Sequence, residues 1–184
     1  KEKSRRNQLF LNMGNNEDGV PIFTEVARLY GLDSAAYSNQ GYFFDYDRDG
    51  DLDMLLLNHN PNSLPVLGVQ KTKVLLKEDQ PLTGLRLYEQ RERYFYDITT
   101  QTSINGSGLS YGLGIALSDF NNDGWIDFYV SNDYTIPDYL YINNKKGDFE
   151  NKLLESIAHT SHFSMGNDSG DINNDGWADL LTLD

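Results

Sequence analysis

The chain has no cysteine, few bases and no long hydrophobic run. Without cysteine there are no disulfides, no thiolate zinc sites and no cysteine nucleophile. Lys and Arg number 15 against 28 Asp and Glu in 184 residues, a formal charge of −13. That balance excludes the broad basic face through which nucleic-acid binders contact phosphates. It points instead to a cation partner or a highly soluble surface. The longest aliphatic run, Met54-Leu55-Leu56-Leu57, is far below the roughly 20 residues of a membrane span, so no membrane insertion is expected. The basic start, Lys1 to Arg6, precedes no apolar stretch and is not a signal peptide; in an exported protein the signal would lie outside this sequence. A hydrophobic share of 39% and an aromatic share of 12% are ample for a packed core.

Three segments align with one another: Gly41 to Leu56, Ile115 to Val130 and Asp168 to Leu181. Each contains D-x-[DN]-x-D-G-x-x-D followed by a short apolar run, a pattern expected by chance on the order of a few times per million positions. The spacings are 74 residues (45 to 119) and 52 residues (119 to 171). The longer gap holds a stretch rich in Pro, Leu and Lys, about Asn60 to Thr83, which reads as an insertion in one repeat. Between the acidic segments, Leu9–Asn12, Leu85–Tyr88 and Leu140–Asn143 alternate as short strands. Phe23–Val26, Phe95–Ile98 and Phe149–Lys152 follow them as weaker ones.

A unit of about 50 residues with four short strands is a propeller blade. The expected fold is all-β, with about three four-stranded blades of a partial β-propeller. Residues 1–40 would hold the last strands of one blade and a linker, and 41–111 a blade with the insertion at about 60–83. Residues 112–164 would be a second blade, and 165–184 the first strands of the next. Closed propellers have about four to eight blades, so a fragment, or a chain completed by something else, is expected.

The acidic loops suit calcium. Asp45, Asp47, Asp49, Asp51 and Asp53 fall within nine residues, and like charges 4 Å apart repel by about 4 kcal/mol near a protein surface. An all-oxygen shell selects a hard cation; calcium accepts 6–8 such ligands flexibly, while the stricter octahedron of magnesium makes it the second choice. Positions 1, 3 and 5 send oxygens to a common side: Asp45, Asp47 and Asp49; Asp119, Asn121 and Asp123; Asp171, Asn173 and Asp175. Glycine at position 6 permits the sharp turn. Position 7 offers its backbone carbonyl (Asp51, Trp125, Trp177), and the Asp at position 9 (Asp53, Asp127, Asp179) closes the shell. The first loop has the most carboxylates and is expected to bind most tightly. An EF-hand is excluded, because position 12 is Leu56, Val130 or Thr182 within an apolar run rather than a bidentate Glu. Ordinary Asp-Gly turns with solvated acids would not recur three times in this form.

With these loops and their flanking strands, the chain resembles the FG-GAP/VCBS repeats that form the calcium-binding blades of the integrin α-subunit propeller. The run from Ser164-Met165-Gly166 to Asp184 is similar to the ASPIC/UnbV group, related to cartilage acidic protein. The resemblance implies a seven-bladed propeller, calcium in the blade loops, and an extracellular or cell-surface adhesion or binding role toward a protein or glycan. The literal Phe-Gly and Gly-Ala-Pro signatures are absent; Tyr111-Gly112 and Met165-Gly166 are nearest.

Other motifs are weaker. Gly108-Leu109-Ser110-Tyr111-Gly112 fits a nucleophile elbow, but the strand-to-helix context that motif needs is missing and a glycine-rich bend is expected. His159 and His162 have no third ligand at suitable spacing, and His59 has no evident partner. Asn105-Gly106-Ser107 and Asn167-Asp168-Ser169 have the glycosylation pattern, which has no meaning in a bacterial protein. From His59 to Arg93 six bases face four acids, a net +2, against 9 − 24 = −15 for the remainder; a basic loop on an acidic body is a candidate contact surface. The expected function is a calcium-binding recognition module that is secreted, periplasmic or on the cell surface, with calcium structural and no catalytic residue. The alternative is a supporting part of a secreted enzyme such as a polysaccharide lyase or phospholipase.

Overall fold

The computed structural model describes residues 5–62, 67–133 and 136–184. The first four residues of the basic start and residues 63–66 of the insertion lie outside the described residues. The described residues are all-β apart from short helices, and among them twelve strands form four antiparallel sheets.

The sheets follow one another along the chain. β1 (Phe10–Asn15) pairs with β2 (Pro21–Glu25). Next come four strands in sequential order: β3 (Ser38–Phe44), β4 (Asp53–Asn58), β5 (Arg86–Arg91) and β6 (Tyr94–Asp97). The second four-stranded sheet contains β7 (Gly114–Ser118), β8 (Asp127–Ser131), β9 (Tyr139–Asn143) and β10 (Phe149–Asn151). The last sheet pairs β11 (Gly166–Gly170) with β12 (Asp179–Leu183). Among the described residues no strand pairing closes these sheets into a ring.

The sheets pack face to face, which explains why the second strand of each four-stranded sheet is apolar at successive positions. Met54 and Leu56 of β4 pack with Ala27, Leu32, Tyr88 and Phe95 on one side. Leu55 and Leu57 point the other way, into the main core with Leu87, Ile115, Phe128, Val130 and Tyr141. In β8, Phe128 and Val130 join that core, while Tyr129 packs with Ala116, Leu140 and Leu153 toward the last sheet. A strand covered on both faces loses the period-2 alternation of a half-exposed one. At roughly 1.5–3 kcal/mol for each fully buried large apolar side chain, these layers are the main stabilising term.

The two-stranded first sheet repeats the outer half of the full ones. Asn12 pairs with Phe23, Gln90 with Phe95 and Asn143 with Phe149. The residue after each outer strand donates its N–H to the start of the neighbouring strand or the residue before it: Val26 to Leu9 (2.8 Å), Ile98 to Leu87 (2.9 Å) and Lys152 to Leu140 (2.7 Å). A helical turn follows each time: α1 (Ala27–Tyr30), a 3-10 turn at Thr99–Gln101, and a further helix at Leu153–Ser156. The sequence pattern did not indicate these turns.

The insertion is more than a loop. It contains a helix, Val69–Leu75, and Leu67, Leu75 and Leu76 pack against the main core. The Asn105 amide and the Ser107 hydroxyl donate to the carbonyls of Leu76 (3.2 Å) and Leu75 (2.9 Å). Arg86, one of the six bases of the segment, is buried: it pairs with Asp79, lies 3.6 Å from Asp97 and donates to the Gly106 carbonyl at 3.0 Å. It is therefore unavailable to any external partner.

Candidate metal centre

Each acidic segment is the turn between the first two strands of a sheet. The residue before position 1 pairs with position 9 in all three: Phe44 with Asp53, Ser118 with Asp127, and Gly170 with Asp179. Position 6 has φ of 96° at Gly50 and 88° at Gly124 and Gly176. Position 4 is also left-handed, with φ of 63° at Arg48, 55° at Asn122 and 60° at Asn174. Asparagine tolerates that region better than most residues, whereas arginine enters it at some cost.

The loops hold themselves with their own acids. The position-6 N–H donates to the position-1 carboxylate: Gly50 to Asp45 (3.2 Å), Gly124 to Asp119 (2.7 Å) and Gly176 to Asp171 (2.8 Å). The position-5 N–H donates to position 3: Asp49 to Asp47, Asp123 to Asn121 and Asp175 to Asn173, at 2.9–3.2 Å. The position-7 N–H donates to position 5: Asp51 to Asp49, Trp125 to Asp123 and Trp177 to Asp175, at 2.9–3.0 Å. In all three loops, oxygens of positions 1, 3 and 5 thus accept the loop's own N–H groups.

Position 9 does more than the sequence indicated. Asp53 and Asp127 are buried, and each carboxylate ties its own strand to the turn and to the third strand. One oxygen accepts the position-2 N–H, Tyr46 to Asp53 at 3.2 Å and Phe120 to Asp127 at 3.0 Å. The other accepts an N–H from the third strand, Gln90 to Asp53 at 2.9 Å and Asn143 to Asp127 at 2.8 Å. Burial pushes the Asp53 carboxyl up to about 7 and the Asp127 carboxyl up to about 6, against the opposing pull of these amides. Asp179 is half-buried and accepts the Ile172 N–H at 3.0 Å.

The first loop fits a cation best. Ligand oxygens of Asp45, Asp47 and Asp49 all lie within 4.8 Å of one another. Asp45 Oδ1 and Asp51 Oδ1 are buried without a hydrogen-bond partner. A buried carboxylate oxygen without a donor is costly, and a hard cation is the partner that removes the cost. Burial and the neighbouring carboxylates Asp49 and Asp45 raise the Asp47 carboxyl, and the Asp49 N–H only partly offsets this.

The second and third loops are partly self-neutralised. Asn121 Nδ2 donates to Asp123 at 2.9 Å and Asn173 Nδ2 to Asp175 at 3.0 Å. Lys145 Nζ also stands 3.2 Å from Asp123. Burial opposes it, yet the Asn121 amide, the Trp125 N–H and Lys145 together hold the Asp123 carboxyl below its usual range. The sequence reading missed Lys145, Gln90 and Asn143, which come from third strands or the hairpins beyond them.

The weaker motifs have structural roles. Ser110 is buried with its hydroxyl donated to Asn132, in a bend that leads into β7 rather than a helix. Exposed His162 lies edge-on to Phe163, and His59 packs its ring 5.6 Å from that of Tyr111. The amide nitrogens of both sequon asparagines are engaged: Asn105 donates to Leu76, and Asn167 to Gly114 and Ser131. No helix among the described residues is long and apolar enough to cross a membrane.

No curated protein matches the chain. Residues 119–182, from the first acid of the second loop to the strand after the third, match the family model of the FG-GAP-like repeat. Over that segment, with its acidic hairpins and stacked antiparallel sheets, the chain is similar to an FG-GAP-like repeat.

Proposed function

We propose that this chain is a calcium-binding stretch of a β-propeller that serves as a recognition module outside the cytoplasm, with calcium in a structural role. The observation that carries the calcium reading is the first loop: three converging carboxylates, and two buried carboxylate oxygens, on Asp45 and Asp51, without a donor. Asp45, Asp47, Asp49 and Asp51 would hold the first ion. Asp119, Asn121 and Asp123, and Asp171, Asn173 and Asp175, would hold the others, with the carbonyls of Trp125 and Trp177. Asp53, Asp127 and Asp179 would close each shell or fix the loop beneath it. Three ions would bring the formal charge from −13 to −7. The 2-4-4-2 succession of stacked sheets supports the blade reading.

Bound calcium would cancel repulsion that the empty loops carry and stabilise the folded state by mass action, by about 2.7 kcal/mol at a hundredfold excess over Kd. Loops of this class suit millimolar, extracellular calcium. The test is a thermal melt with millimolar calcium and with chelator. Calcium raises the midpoint by several degrees and magnesium by less; identical melts overturn the reading.

A further inference from the structure

The three loops touch one another in a fixed order. The Arg48 guanidinium, at position 4 of the first loop, lies 5.4 Å from the ring centroid of Trp125, at position 7 of the second. Asn122, at position 4 of the second loop, donates from Nδ2 to the carbonyl of Gly176, at position 6 of the third, at 2.9 Å. A buried link runs beneath the first contact. Asn143 donates its N–H to Asp127 at 2.8 Å and its side-chain amide to the Tyr46 carbonyl at 2.7 Å. It therefore ties position 2 of the first loop to position 9 of the second.

Position 4 reaches its neighbour only while the loop holds its backbone in the left-handed region, which a non-glycine residue leaves readily when unconstrained. A cation that gathers positions 1, 3 and 5 constrains the same few residues. Filling one loop thus fixes the side chain that rests on the next, and linkage makes the effect reciprocal. Resting on the calcium reading above, we infer that the three sites bind cooperatively: the first loop strengthens the second through Arg48 and Asn143, and the second strengthens the third through Asn122.

The two tryptophans of the chain, Trp125 and Trp177, lie in the second and third loops and report them separately. In a W177F chain, Trp125 fluorescence follows calcium at the second loop. Disabling the first loop with Asp45→Asn and Asp47→Asn raises that midpoint roughly three- to tenfold, the lower part of the usual range for coupled sites. In an R48G background, which removes the side chain and keeps the left-handed backbone accessible, the shift shrinks by at least half. Arg48 is exposed, so this substitution spares the core. Equal shifts in the two backgrounds overturn the inference. If the disabled loop does not fold, the otherwise unsubstituted chain decides: its calcium isotherm has a Hill coefficient above 1 that falls in R48G, and unchanged steepness overturns the coupling. Equilibrium dialysis separates the two readings. Absence of saturable calcium uptake ends both, whereas saturable uptake indifferent to R48G ends the coupling alone.

Discussion

The acid at position 9 shows how one residue type acquires two functions from its surroundings. Asp127 is fully buried and satisfies the Phe120 and Asn143 amides, whereas Asp179 is half-buried and satisfies the Ile172 amide. Removing an acceptor from a buried donor costs about 1–3 kcal/mol for each donor left unpaired. In the presence of chelator, Asp127→Ala is therefore expected to destabilise by about 2–4 kcal/mol and Asp179→Ala by about 1 kcal/mol or less. Urea unfolding measures both, and equal losses would show that the carboxylate is not the staple described. Arg86 illustrates the same dependence on surroundings: its charge is evident in the sequence, but its burial against Asp79 and Gly106 is not.

At the scale of the element, the three hairpins share one backbone and differ in charge. Positions 1, 3, 5, 6 and 9 were legible in the sequence because they lie in one short segment, where spacing and glycine dictate geometry. Affinity follows the charge of the ligands and their freedom to turn toward the ion. The first loop has buried acid oxygens without donors, whereas the second shares Asp123 with Lys145. By calorimetry, Asp45→Asn is expected to remove more of the total calcium affinity than Asp171→Asn; the reverse order would show that ligand charge does not set the ranking. The insertion was less legible. Its Pro, Leu and Lys content reads only as an insertion, but Leu67, Leu75 and Leu76 pack against the main core.

Across the whole molecule, the acids dominate. A charge of −13 destabilises the compact state through self-repulsion, and salt screens that repulsion over about 8–10 Å at physiological strength. With chelator present, raising sodium chloride from about 10 to 150 mM is expected to raise the melting midpoint, and to raise it much less once calcium has neutralised the loops. A salt response of equal size in both states would show that the loops do not hold the repulsion. The sequence by itself determined the strands, the three turns and the oxygen chemistry of those turns, because each depends on residues a few positions apart. The tertiary structure alone decided which strands are covered on both faces, where Arg86 hides, and that Asn143 joins a loop 97 residues away. Those outcomes arise when separate sheets stack, and residue spacing along one strand carries no information about its neighbour across the stack.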